Sequence, residues 1–316
     1  MKDLKIYLCI KSLENDIEFM NKLREISDLI TVHPKSERPT KKELCGIVRD
    51  HDIIICGVFE KLDKDIASCI GRLKIIGTLS VGLDHIDINA FKVKGVEIVN
   101  VPHSNAISVA EHTWALILSL VKRLLEGNMA VRGGLGRKGV SDRPIELYQK
   151  TLGIIGAGPI AYYVAKFARA FNMNVLVWTF HPEKHKEFIE IGAGFRDKLE
   201  NLLKECDILT IHIPLTDKTK NLINKDLLHS LNREKPLILI NTSRPEIIEK
   251  GLIPDGIKKG YIERCGLDVY YDDEITLCPE HKVIFSPHIA GLSQEAIKRM
   301  RFDLIEKIKN LLERLR

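Results

Sequence analysis

The chain has 316 residues, 45% of them hydrophobic, 29% charged and 6% aromatic, with a formal net charge of +5 from 48 basic and 43 acidic side chains. That length suits two domains of ~150 residues better than one core, and the composition excludes a disordered or fibrous chain. The two signs of charge are interspersed without a long basic block, which speaks against a nucleic-acid partner, and the longest apolar run, around Trp114 to Val121, falls far short of the ~20 residues that span a membrane.

From the N-terminus, "MKDLKIYLCIKSLEND" lacks the apolar stretch and cleavage site of a secretory leader. Cys9, Cys45, Cys56, Cys69, Cys206, Cys265 and Cys278 stand singly, with neither a CxxC pair nor the spacing of a metal site. No metal is expected, and a reducing, cytoplasmic location is. The runs "KIYLCI", "DIIICGV", "KIIGTLS" and "VEIVNV" read as short strands alternating with helical patterns, the mark of a parallel α/β sheet. Residues 104–129 place Ile107, Ala110, Trp114, Ile117, Val121 and Leu124 at helical spacing, predicting one long helix that links two domains. After the loop "RGGLGRKGVSDRP", a second alternating series puts strands at "TLGII", "VLVWT", "DILTIHI", "PLILIN", "RCGLDV" and "KVIFS".

The segment "TLGIIGAGPIAYYVAKFARAF" is strand, GxGxxA, helix. Gly156 and Gly158 allow a tight turn and let a diphosphate approach the backbone, Pro159 and Ile160 open the helix whose N-terminus faces it, and Ala161 lets helix and strand pack closely. A dinucleotide cofactor is expected. The usual ribose-binding acid about 20 residues on is missing, for the strand ends at Thr179, followed by Phe180, His181 and Lys184. A neutral strand end removes the repulsion against a 2'-phosphate and the nearby cations attract one, so the balance leans to NADP; Thr179 bonding a ribose hydroxyl leaves NAD nearly as well supported.

Ligands of doubly wound sheets bind outside the carboxyl ends of the strands. This chain sets polar residues there: His212 and Pro214; Asn241, Thr242, Ser243 and Arg244; Asp268, Asp272, Asp273 and Glu274; and His288 after Pro287. An arginine, an acid and a histidine beside a nicotinamide can hold a carboxylate, orient an imidazole and move a proton, which equips the site for hydride transfer at a 2-keto acid.

At these residues the sequence resembles the D-isomer-specific 2-hydroxyacid dehydrogenases, through "KIIGTLSVGLDHIDINAFKVKGVEIVNVPHSNAISVAEH", "LGIIGAGPIA", "DILTIHIPLTDKTKNLIN", "LILINTSRP", "GLDVY" and "SPHIAG", in family order and spacing. The resemblance implies a Rossmann nucleotide-binding domain, residues 101–288, inserted into a flavodoxin-like substrate domain, residues 1–100 plus 289–316, and a homodimer built around the 104–129 helix. It implies that the substrate is a small 2-keto or 2-hydroxy acid. His288 is then the acid/base, Arg244 grips carboxylate and carbonyl oxygen, and the Ser80, Val81, Gly82 backbone receives the carboxylate. Asp268 corresponds to a nicotinamide contact, and His212, Pro214 and Thr242 to further cofactor contacts.

The pattern breaks in three places. Asp273 stands where the family has the glutamate that partners the histidine, with Glu274 next to it as an alternative. Pro245 replaces a glycine after the arginine, stiffening that turn. Gly57, Val58 and Phe59 occupy a loop that in the family often carries an arginine, which implies a less charged pocket wall, with Lys61 nearby. A competing expectation is a non-catalytic, dinucleotide-sensing protein on the same scaffold.

Overall fold

Runs of isoleucine and valine too short for helices form the strands of both sheets. In the computed structural model, which describes residues 3–231 and 235–315, the chain divides into two units: Met1–Asn105 with Gln294–Arg316, and Ala106–Ser293.

The first unit runs β1 Ile6–Leu8, α1 Ile17–Arg24, β2 Ile30–Val32, α2 Lys41–Asp50, β3 Ile53–Cys56, α3 Lys64–Ser68, β4 Ile75–Thr78, α4 Ile88–Lys92 and β5 Glu97–Val99, and is completed by the C-terminal helix Gln294–Arg314. Its strands are all parallel, in the order β2-β1-β3-β4-β5, the flavodoxin-like order. A parallel sheet is covered on both faces, so its strands are apolar throughout rather than alternating. In β3, Ile53 and Ile55 pack with Phe19, Leu304 and Ile308, whereas Ile54 and Cys56 face Leu44, Val48 and Phe91 on the other side. Thr40 starts α2 with a reciprocal cap to Glu43. At Gly77 a Cβ would come within 2.9 Å of the Ile308 side chain, so the absent side chain is what lets the C-terminal helix lie close on β4.

One expectation is corrected in this unit. Cys45 on α2 and Cys69 after α3 are not single thiols but form a disulfide across 24 residues, while Cys9, Cys56, Cys206, Cys265 and Cys278 are buried thiols. Neither partner has a spacing motif; the fold brings them together.

The second unit runs α5 Ala106–Val121, α6 Leu124–Arg132, β6 Thr151–Ile155, α7 Pro159–Ala170, β7 Asn174–Trp178, α8 Lys186–Glu190, β8 Gly194–Phe195, α9 Leu199–Glu205, β9 Ile208–Ile211, α10 Lys225–Ser230, β10 Leu237–Asn241, α11 Leu252–Lys259, β11 Ile262–Leu267 and β12 Val283–Phe285. Seven parallel strands stand in the order β12-β11-β10-β9-β6-β7-β8. This is the doubly wound Rossmann order with one further strand, and its direction of winding reverses between β6 and β9, where such folds bind ligands. Apolar clusters cover both faces, one around Leu202, Leu209 and Leu239, the other around Trp114, Ile154 and Val164.

The single helix expected over 104–129 is two. Arg123 adopts a left-handed conformation, φ 56°, between α5 and α6, and its buried side chain donates to Leu120 O at 3.1 Å and to Glu263 at 2.9 Å. Both helices belong to the second unit. Among the described residues, no helix is long and apolar enough to cross a membrane.

Candidate active site

At the end of β6 the chain turns through Gly156, φ 102°, and enters α7 with Gly158 as N-cap and Pro159 in the first helical turn. A Cβ at Gly156 would lie 2.2 Å from the His212 carbonyl oxygen, so glycine is required there by the neighbouring strand. At Gly158 the same construction meets nothing within 4 Å. Its missing side chain therefore leaves open space at the N-terminus of α7, where free N–H groups and the helix dipole suit a diphosphate. Ala161 is fully buried against the sheet, and Ile160 packs beside it. The residues present fit a dinucleotide cradle.

At the neighbouring strand end Thr179 is half-buried, and Phe180 stacks edge-on against Trp178. His181 is exposed and faces Glu183 at 3.4 Å, a carboxylate that opposes a 2'-phosphate at this edge. A groove over this edge is lined by Trp178, Phe180, Asp197, Lys198, Glu200 and Asp226 among others, three carboxylates to one lysine.

At β9 the His212 ring is buried, with Nε2 2.9 Å from the Thr210 hydroxyl, and burial pushes its pKa down to about 3. It is a neutral ring at ordinary pH. Pro214 O accepts from the Thr219 hydroxyl at 2.7 Å, which fixes the following loop. At β10 the buried Asn241 braces the next turn twice: its amide donates to Arg244 O at 2.9 Å and its carbonyl accepts from Ser243 N at 3.0 Å. Ser243 Oγ donates to Ile213 O at 2.5 Å, tying the β9 and β10 loops together, and Thr242 Oγ1 lies 3.3 Å from Thr113 Oγ1 on α5. Arg244 extends from this turn, one guanidinium N–H donating to Ser243 O at 2.8 Å.

Asp268, at the end of β11, is fully buried. Its carboxylate accepts from Ser286 Oγ at 2.6 Å, Ile289 N at 3.0 Å and Ala290 N at 3.0 Å. These three donors lie on both sides of His288, which takes a left-handed backbone, φ 56°. That conformation costs a non-glycine residue of order 1–3 kcal/mol and needs surrounding structure to hold it. The His288 ring reaches the surface, yet the protein packed beneath it lowers its pKa; Asp268 opposes that shift and Arg244 adds to it. The charges of Arg244 and Asp268 both bear on the His288 ring within this unit. Both oxygens of Asp268 accept from the loop that carries His288.

Asp273 is not brought to His288. It is exposed and pairs with Lys250 at 2.7 Å, which holds its pKa below the ordinary value. Glu274, the alternative, is buried and accepts from Gly251 N at 2.5 Å, with burial raising its pKa. The short 3-10 turn Asp272–Leu277 sends the longer side chain inward and the shorter one to solvent.

In the first unit the Ser80, Val81, Gly82 turn follows β4. Ser80 is buried, donates to Gly82 O at 2.8 Å and contacts the Thr78 hydroxyl at 2.9 Å, while Asn100 donates to Val81 O at 2.7 Å. The turn is rigid. Beyond β3, Glu60 caps Gly57 N at 2.7 Å, and the Arg38 guanidinium lies 3.5 Å over the exposed Phe59 ring. An arginine does reach this loop, from a distant part of the sequence that local motifs could not reveal. Sequence reasoning also missed Asn241 and Ser286 as supports of the Arg244 and His288 loops.

Residues 114–290 match the family model described as D-isomer specific 2-hydroxyacid dehydrogenase, NAD binding domain. The chain is 32% identical to a glyoxylate reductase of Aeropyrum pernix, over 98% of this chain and 92% of that protein. Among solved structures it superposes on an acyclic imino acid reductase in complex with NADPH and D-Arg with a TM-score of 0.88 and 29% identity, covering 98% of each chain. A D-lactate dehydrogenase from Aquifex aeolicus, complexed with NAD and lactic acid, gives a TM-score of 0.83 at 29% identity over 98% of this chain and 95% of that one.

Proposed function

The chain belongs to the D-isomer-specific 2-hydroxyacid dehydrogenase family, and from that premise we propose that it reduces a small 2-keto acid of the glyoxylate or hydroxypyruvate class to the D-2-hydroxy acid, reversibly, with His288 as acid/base. The observation that carries this reading is the placement of Arg244 after β10 and His288 after β12, the two strands that flank β11 in one sheet, with the guanidinium pushing the imidazole pKa down. A bound nicotinamide dinucleotide would supply the hydride to C2. The planar fork of Arg244 pairs with the substrate carboxylate and carbonyl oxygen, which a lysine could not do in two parallel bonds. His288 delivers the proton to that oxygen as charge develops on it.

Both dinucleotides are accepted on this reading. Thr179 leaves room for a 2'-phosphate, while Asp197, Glu200 and Asp226 in the groove and Glu183 beside His181 oppose one, which offsets the lean toward NADP. We also propose a homodimer: α6 and the turn after it expose Leu124, Leu125, Met129, Val131 and Leu135, an apolar surface of the kind a second copy covers. A cytoplasmic location belongs to this reading; the five buried thiols agree with it and the Cys45–Cys69 disulfide counts against it.

Asp273 turned to Lys250 instead of His288 favours a second reading, a dinucleotide sensor without turnover. A spectrophotometric panel separates the two: NADH and NADPH, each with glyoxylate, hydroxypyruvate, pyruvate and bulkier 2-keto acids. Oxidation of the dinucleotide dependent on a small keto acid supports the enzyme; tight dinucleotide binding without it supports the sensor.

A further inference from the structure

We propose that His112 is a positioning residue for this reaction, holding His288 in place through Ser286 and Asp268. The inference rests on the reading of His288 as the proton donor, and it concerns a residue that lies before the segment matched by the family model.

The direction of each hydrogen bond follows from the groups involved. A carboxylate only accepts, so Ser286 spends its single hydroxyl proton on Asp268 at 2.6 Å. At the 2.8 Å contact between Ser286 Oγ and His112 Nε2 the hydroxyl must then accept, and His112 must donate from Nε2. His112 Nε2 also lies 3.5 Å from Asp268 Oδ1. The chain of donors runs from α5 through the loop after β12 to the end of β11, joining residues 174 apart in sequence at its first step.

One turn earlier on the same face of α5, Ser108 donates to Ala290 O at 2.7 Å and accepts from Ser293 N at 3.4 Å. The stretch from Ser286 to Ser293 is thus held from two directions, by Asp268 at the end of β11 and by Ser108 and His112 on α5. His288 sits inside that stretch with its backbone in the left-handed region. Without the His112 proton, Ser286 Oγ loses its fixed donor, Asp268 Oδ1 keeps Ser286 and Ile289 N but loses the nearby imidazole N–H, and the His288 ring loses its aim while the glycine turn after β6 is untouched.

The test compares wild type with His112→Phe, which fills the space without donating, and His112→Gln, whose amide nitrogen can replace Nε2. Turnover is normalised to dinucleotide-binding sites measured by fluorescence titration, so that misfolded protein does not count. His112→Phe is expected to lower kcat about ten- to hundredfold with dinucleotide Kd changed less than about twofold, and His112→Gln to recover most of the loss. Should His112→Phe not fold, Ser286→Ala reads the same chain and is expected to show the same kcat loss. Wild-type kcat in the donor-less variant, or Gln no better than Phe, overturns the inference. His288→Ala is run alongside: if it retains turnover, the underlying reading falls too, whereas a dead His288→Ala with a fully active His112→Phe removes only the role of His112.

Discussion

Gly156 and Gly158 look alike in sequence but face different surroundings, and alanine substitution should separate fold from cofactor binding. At Gly156 a methyl would stand 2.2 Å from His212 O and 2.7 Å from His212 C, on a backbone at φ 102°. The backbone strain is about 1–3 kcal/mol and the overpacking against rigid main chain about another 1–3 kcal/mol. For a unit of this size each kcal/mol moves Tm by roughly 2–4 °C, so Gly156→Ala should melt roughly 5–20 °C lower. Gly158 has φ −79° and open space around its Cβ position. There, reduced freedom of the unfolded chain and a poorer N-cap nearly offset each other, leaving stability within about 1 kcal/mol of wild type. The methyl instead fills the approach to the backbone, and dinucleotide affinity should fall by about tenfold or more. Thermal melting and fluorescence titration on both variants check this. Equal melting of the two, or unweakened dinucleotide binding by Gly158→Ala, would refute the assignment of the turn.

Burial holds the His288 pKa below the ordinary 6.5, with Asp268 opposing and Arg244 reinforcing the shift. Reduction needs the protonated ring, so kcat/KM for keto-acid reduction should decline as pH rises through a value under 6.5, and for hydroxy-acid oxidation as pH falls through it; a reduction limb above that value counts against the electrostatics. Asp268→Asn would set an amide N–H against one of three converging donors, at a site with no exposure. It should cost about 3 kcal/mol in stability and lower kcat, as read by melting and single-turnover kinetics. Reducing the Cys45–Cys69 link, which spans 24 residues, should destabilise the first unit by about 3 kcal/mol while dinucleotide titrations stay unchanged. An identical melt with and without reductant would show that the link contributes nothing.

The strands and the glycine turn were readable because their signals are local: a β-branched run followed by GxGxxA and a periodic helix needs only neighbouring residues. Ile30–Val32 and Gly194–Phe195 escaped because two or three residues carry no periodicity. The break at Arg123 was hidden by apolar spacing that continues across it; what fixes it is Glu263, 140 residues away. Motif order singled out Arg244 and His288, and no local signal marked the carboxylate nearest His288 in charge effect. Asp273 matches the family position by count, but Lys250 draws it outward, and the carboxylate that bears on His288 is Asp268. Ser286, His112 and Arg38 were out of reach for the same reason, since their contacts join distant segments.

The central claim is that hydride from a nicotinamide and a proton from His288 reach a small 2-keto acid with one handedness. The most direct measurement is chiral analysis of the glycerate formed from hydroxypyruvate and NADH by the wild-type protein, set against the dinucleotide oxidised. The account predicts D-glycerate in equal amount to the NADH consumed; L-glycerate, or NADH left unconsumed, would contradict it.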